Sequence, residues 1–515
     1  MSQIITSNAL NNLQVDGAYV YLQPPTPIAG AGIATSLSGI VGTASWGPIN
    51  APQPFSDTAS AYAAFGRSIS DPFSLVTESL FAVNFASNFL GVRVSDGTDT
   101  AASVLVKDTG GTNGVTLTGK YSGTEGNNIS VTLAVGSQST VATPTMTATI
   151  ARTGYPSEVF ANLGNPSAGG FAANLRNAVN LGVSGVRGPS NLVVATASGA
   201  SVLGFVAGTS TLVGGTNGAT VTSVQQIGLD GTTGRTGLYA LRGLGVQQFI
   251  LAGNSDPTQY TALATFAASE GSFAIAALPS GTSTSTALTT KQTANYNSIN
   301  GALVKDWLTF TDPTISQQRM VSPLGETLGL IASLPPEASC GNKPIQGASN
   351  FLSTERTGTP YSGAEAAQLE GAGILYWTNP IPRGNVFGLP HGQNASGLAN
   401  TGQDTIAYTR MTNFLAASLA GLIGPFVGEL QGTSPNDPTR AAAKAVLTTF
   451  LQNLQNANRI SGYNVQLNTA NNTPSSIAQG YMLATCQVQY LATVKFFIVS
   501  LIGGASVQIS TGNIQ

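Results

Sequence analysis

The last third of the chain carries the clearest periodicity. Leu447, Phe450, Leu451 and Leu454 recur at i, i+3, i+4 and i+7, which lines one face of a helix with apolar groups. Asp437 stands ahead of Pro438. An acidic side chain there can accept from the free amides of a first turn, and proline at the first position lacks an N–H that has no partner anyway. The pattern predicts a helix over Pro438–Asn456. A polar loop over 468–474 and a short polar turn follow. Cys486, Val488 and Tyr490 then alternate with Gln487 and Gln489, the period of a half-buried strand. That C-terminal strand is expected to close on Phe496, Phe497, Ile498 and Val499, apolar on both faces.

Other stretches read as follows. Residues 1–25 are almost free of charge; Tyr19, Val20, Tyr21 and Leu22 suggest a short strand, and Pro24-Pro25 a stiff linker, together an N-terminal arm. Residues 33–43 read as a buried strand, stopped by Gly47-Pro48. Asp57 is positioned to cap a helix over Thr58–Phe65 that ends at Gly66. A longer helix is expected over 71–90, with Phe81, Phe85 and Phe89 on one side. From Asp96 to about Thr222 the chain turns to Gly, Thr, Ser, Val and Asn with alternation in 115–118 and 129–135, the mark of an inserted strand-rich domain. After Gly228, a strand over 246–251, a helix opening at Asp256-Pro257 with Tyr260, Leu263 and Ala267 inward, and a strand over 273–278 make a βαβ unit with parallel strands. A helix over 286–299 and a strand over 303–310 extend the same sheet into a three-layer α/β core.

Composition narrows the function. The chain has 515 residues, too many for one ordinary core. Only 8% are charged and the formal net charge is −2, against roughly 25% charged in an average soluble protein. No basic block exists to displace counterions from phosphates, which argues against nucleic-acid binding. A surface so poor in charge offers little like-charge repulsion and favours self-association. The two cysteines, Cys340 and Cys486, have no metal-ligand spacing, and no cofactor is expected. Residues 414–427 form the most membrane-like stretch, but it is too short to span and holds Gly424-Pro425, so it reads as a buried helix. The first basic residue is Arg67; the cationic start of a secretory signal is missing, and synthesis in a cytoplasm is expected.

An ordered set of these stretches resembles the contractile-tail sheath family. DGAYVYLQ at 16–23 looks like its opening strand, with Asp-Gly-Ala in place of Pro-Gly-Val. GIVGTASWGPINAP at 39–52 is similar to its glycine-rich strand and turn, AYAAFG at 61–66 to its short helix ending in Phe-Gly, and FLGVRVSDGTDTAA at 89–102 to the strand leading into a variable insert. SPLGETLGLIASL at 322–334 and GAGILYWTNP at 371–380 fall where the family has a small-residue helix and a β-segment. The helix, the Asn-Asn-Thr-Pro loop and the paired strand then close the chain in the family's order. The resemblance is weakest across 103–222.

What the resemblance implies is an α/β, multidomain protein. It would have a three-layer, subtilisin-like, non-catalytic core, an inserted strand-rich domain and extended N- and C-terminal arms. The expected segments are 1–25 (arm), 26–102 (first part of the core), 103–222 (outward insert), 223–370 (α/β core), 371–502 (C-terminal sheath domain) and 503–515 (C-terminal arm). The function implied is mechanical: stacked rings of this chain form a helical sheath in a virion tail, and contraction drives an inner tube through a target envelope. Its partners would be further copies, a tail tube protein, and baseplate and terminator proteins, with no nucleic acid and no membrane insertion. Tyr19, Val20, Tyr21 and Leu22, with Val507 and Ile509, are the expected arm strands that add to neighbours' sheets. The helix 438–456 would face the tube, presenting Arg440 and Lys444 on its polar side.

Two other classes stay open: a different self-assembling shell or surface-layer protein with a carbohydrate-binding insert, and a cytoplasmic α/β hydrolase. A hydrolase triad needs a histidine as proton shuttle, and His391 is the single histidine. No serine sits in a Gly-x-Ser-x-Gly elbow. GVTLTGKY at 114–121 matches a phosphate loop through Gly-Lys but has Tyr121 where the magnesium-binding hydroxyl belongs, and its alternation predicts a strand. Asn128-Ile129-Ser130 and Asn394-Ala395-Ser396 are formal glycosylation sequons.

Overall fold

The computed structural model describes residues 2–5, 18–21, 32–67, 71, 73–111, 113–168, 170–183, 185–197, 204–312, 316–345, 351–356, 359–397, 402–495 and 498. The chain divides into two compact units, Gly30–Val427 and a smaller one made of Met1–Ala29 with Gly428–Gln515. Of the segment expected as 371–502, residues 371–427 thus fall in the larger unit and 428–502 in the smaller.

The larger unit is organised by a seven-stranded sheet in the order Ile374–Tyr376, Gly301–Lys305, Phe273–Ala277, Gln248–Leu251, Ser38–Gly42, Phe89–Arg93, Gln53–Phe55. The first six are mutually parallel and the last is an antiparallel edge. Parallel strands covered on both faces read as continuous small-apolar runs, and the Ser38–Gly42 and Phe273–Ala277 strands are buried at every position. Successive side chains point to opposite faces. Ile40, Ile250, Ile275, Val304 and Leu375 accordingly join one apolar cluster with the helices Thr58–Phe65, Leu75–Ala82 and Leu324–Ser333. Val41, Phe249, Ala274, Leu303 and Ile374 join another with Tyr260–Glu270 and Gly363–Gly371. Helices therefore cover both faces, and the expected βαβ unit is present with its two strands parallel.

Local signals set several helix ends. Asp57 accepts the Ser60 amide at 2.8 Å and the Ser60 hydroxyl accepts the Asp57 amide at 3.1 Å, so Thr58–Phe65 starts where expected and stops at Gly66, φ +81°. Gly271, φ +62°, ends Tyr260–Glu270. The single helix expected over 71–90 is instead Leu75–Ala82 followed by a turn and the strand Phe89–Arg93. Ser74 supplies the cap, and Phe89 is drawn into the sheet beside Ser38. The strand expected over 303–310 is two strands, Gly301–Lys305 and Leu308–Asp312, in different sheets; Asp306 at φ +74° breaks the run between them. Of the apolar stretch 414–427, residues 414–423 end the helix Ile406–Ile423, buried along one face through Phe414, Leu415, Ser418 and Leu422, whereas Gly424–Phe426 form a separate short turn of helix with no buried residue. Among the described residues no helix is long and apolar enough to cross a membrane.

Residues 103–211 build a strand-rich body with its own core. One sheet runs Val193–Ala197, Gly114–Gly119, Ser103–Lys107; another runs Glu158–Phe160, Met146–Arg152, Ile129–Val135, Gly208–Thr211. Leu117, Val131, Ile150 and Phe160 meet the helix Phe171–Leu181 inside it through Phe171 and Leu175. The phosphate-loop match is the Gly114–Gly119 strand, with its hydroxyls on the outward positions.

Candidate assembly surfaces

In the smaller unit, the helix Pro438–Asn456 begins and ends where the periodicity places it. Asp437 accepts the amides of Arg440 at 2.8 Å and Gly432 at 2.6 Å. Burial works against its charge, but those amides and the Arg440 cation hold the carboxyl below its ordinary range. Such a cap is worth about 1 kcal/mol. Ala443, Val446, Leu447, Phe450, Leu451 and Leu454 are buried, whereas Ala441, Lys444, Ala445, Thr449, Gln452 and Asn456 are exposed.

Arg440 departs from expectation. It is 2% exposed, and its guanidinium donates to the carbonyls of Gly432 and Ser434. The loop before the helix folds back over the first turn, with the Thr439 hydroxyl donating to the Leu430 carbonyl at 2.7 Å. The outward polar face therefore presents Lys444 without Arg440. The spacing held the signal, since 440, 443, 447, 450 and 454 run along one helical stripe.

The strands Gly462–Gln466 and Thr485–Gln489 pair antiparallel, with Val465 opposite Cys486 and Tyr463 opposite Val488. The inward row is half-buried or buried, and Tyr463 donates to the Gln452 side chain of the helix at 2.6 Å. The outward row is Asn464, Thr485, Gln487 and Gln489, uncharged throughout. Among the described residues no further strand pairs with either edge, so both edges present main-chain donors and acceptors. The connection is held by Asn472, 1% exposed, which accepts the Leu483 amide at 2.7 Å and donates to the carbonyls of Leu483 and Asn468. Sequence reading singled out that loop but not this residue. The strand alternation is as expected through Val488, but the strand ends at Gln489: Tyr490 lies just beyond it, and Ile498 is exposed and outside any strand. Phe496, Phe497 and Val499 lie outside the described residues.

Tyr19, Val20 and Tyr21 are in the strand Ala18–Tyr21, which pairs in parallel with Ser2–Ile5 of the same chain. Leu22, Val507 and Ile509 lie outside the described residues.

The candidate chemistry elsewhere takes structural positions. His391 Nε2 is 3.1 Å from the Ile374 carbonyl, and its Nδ1 faces the Gln393 amide at 3.4 Å. A ring that donates at Nε2 and accepts at Nδ1 has both nitrogens committed to main chain. Cys340 and Cys486 are both free; burial pushes the Cys340 thiol up to about 11, away from the thiolate that reactivity needs. No cluster of metal-ligating side chains occurs among the described residues.

No family model matches the chain, and no curated protein matches it in sequence. Solved structures do match in fold. A sheath tail protein from Listeria innocua superposes with a TM-score of 0.59 at 14% identity, over 90% of this chain and 96% of the other. A sheath tail protein from Desulfitobacterium hafniense gives 0.57 at 15% identity, over 87% and 93%. The helical sheath of the anti-feeding prophage in its contracted state gives 0.55 at 10% identity, over 95% and 99%. The chain has the fold of contractile tail sheath proteins.

Proposed function

We propose that this chain is the structural subunit of a contractile tail sheath, which polymerises around an inner tube and contracts to drive that tube through a target envelope, with no catalytic step. The observation that carries the proposal is likeness in fold to sheath proteins along nearly the whole of both chains. The open-edged sheet on the Pro438–Asn456 helix supports it, because strand addition at such an edge gives strength through backbone hydrogen bonds without demanding particular side chains. In this reading the segments around Tyr19–Tyr21 and Val507–Ile509 are arms that reach neighbouring subunits, and residues 103–222 form the outward domain. The core takes the subtilisin-like arrangement, and the particle is a virion tail or related injector assembled in a host cytoplasm. Tube, baseplate and terminator proteins are the partners. Lys444 is the one cation on the exposed helical face, so the tube contact rests mainly on neutral polar groups and changes little with salt.

The test is negative-stain electron microscopy of the purified protein across concentration and salt, alone and with a tail tube protein. Hollow, striated tubes of uniform diameter are expected. Flat lattices or closed shells in place of tubes would overturn the reading in favour of a different shell.

A further inference from the structure

The loop after the Ser38–Gly42 strand leaves the α/β core and enters the apolar cluster of the strand-rich insert. Trp46, 2% exposed, belongs to that cluster and meets Tyr121 edge-on with ring centroids 5.3 Å apart. Two buried arginines cross the same junction in opposite directions. Arg93, the last residue of a core strand and 1% exposed, donates from one nitrogen to the carbonyls of Gly47 and Ser122, each at 2.8 Å. Its other terminal nitrogen pairs with Asp99 at 3.4 Å, and Asp99 also takes the hydroxyls of Ser95 and Ser122. Arg152, the last residue of an insert strand and 3% exposed, donates to the carbonyls of Ala63 at 2.8 Å and Tyr62 at 3.3 Å. Those carbonyls lie in the last turn of the core helix Thr58–Phe65, where the helix dipole favours a cation. The Arg152 guanidinium also lies 5.2 Å from the Trp46 ring and 5.0 Å from the Tyr155 ring.

A third tie joins the same elements. Glu125, 4% exposed, accepts the Arg67 amide at 3.2 Å and donates its own amide to the Ser45 carbonyl at 3.1 Å. Gly123, φ +120°, allows this approach, because a side chain there would collide with that carbonyl. A planar guanidinium that bonds carbonyls through its edge and aromatic rings through its faces is matched by no lysine.

We propose that Arg93 and Arg152 act as reciprocal bolts that lock the insert to the core as one rigid body. The insert is then not a module swinging on its two connecting segments, and a force on it passes directly into the parallel sheet. This inference stands apart from the sheath reading, since it concerns one folded chain.

The experiment is hydrogen exchange with calorimetry on the full chain and on Arg152→Met, which keeps the aliphatic stem and removes the fork. In the native chain, amides of 44–50 and 62–67 are expected to exchange as slowly as the insert strands, within one unfolding transition. In Arg152→Met their exchange rises at least tenfold and the insert melts ahead of the core, while Arg176→Met, a change at an exposed side-chain contact within the insert, alters neither. Separate melting of the insert in the native chain, or unchanged protection of 44–50 and 62–67 in Arg152→Met, would overturn the proposal. If Arg152→Met does not fold, the native chain decides: independent opening of 103–211 rejects the bolts, and joint opening supports them.

Discussion

Glu78 shows how much one side chain can tie together. It is 2% exposed on the Leu75–Ala82 helix, and its carboxyl accepts the amides of Gly253 at 3.0 Å and Gly325 at 2.7 Å and the hydroxyl of Ser322. Burial pushes its pKa up to about 7, against the pull of those donors and of Arg319. Between about 4.5 and 7 the folded chain therefore keeps a proton that the unfolded chain has lost. Its contribution is fully present below the unfolded value and falls as pH rises through the folded one, by on the order of 3 kcal/mol. Denaturant unfolding at pH 4, 5.5 and 7.5 should show that decline in the native chain and a flatter profile in Glu78→Gln. Equal slopes in the two proteins would remove Glu78 as its source. Nothing in the local sequence announces this residue, because its three donors come from segments distant in the chain. Arg440 is the opposite case, since its place on the apolar stripe of the Pro438–Asn456 helix was legible from spacing.

At the scale of elements, helix ends with a local cap were readable and those fixed by packing were not. Asp437 and Asp57 are followed by their helices with little help from distant residues. The stretch 71–90 carries phenylalanines at helical spacing, yet the chain has to reach the sheet by Phe89, and that tertiary demand overrides periodicity. Helix pairing has its own signature in Gly325 and Gly329 on Leu324–Ser333. Side chains there would run into the Glu78 and Ala82 backbone of the neighbouring helix. Gly329→Leu is expected to destabilise the larger unit by about 3 kcal/mol or more, since overpacking forces the backbones apart. Gly421, exposed within Ile406–Ile423 with open space around it, is the matching control. Gly421→Ala should stabilise by up to about 1 kcal/mol. Thermal melts of the two variants measure both, and a neutral Gly329→Leu would mean that the helices do not approach this closely.

At the scale of the whole molecule, deleting residues 1–22 removes both strands of the N-terminal ladder. The remaining chain is expected to keep its circular dichroism spectrum and melting temperature but to lose tube growth. Tubes of normal length from the truncated protein would discard the arm assignment. Excising 103–222 is more disruptive than the composition shift alone suggests, because Trp46 and the last turn of Thr58–Phe65 lose buried partners. Such a chain should express with exposed apolar surface and bind a hydrophobic dye, where a clean modular insert would leave a dye-silent core.

By itself, the sequence determined the alternation of strands and helices, the parallel βαβ unit, the capped C-terminal helix and the half-buried strand near the end. Each of these follows from local runs of residues, the βαβ unit from three such runs in succession. The order of the seven strands, the crossing of Trp46 into the insert and the three-way tie at Glu78 were decided by tertiary structure. Those features join groups far apart in sequence, and their free energy arises only when the chain brings both partners out of water together.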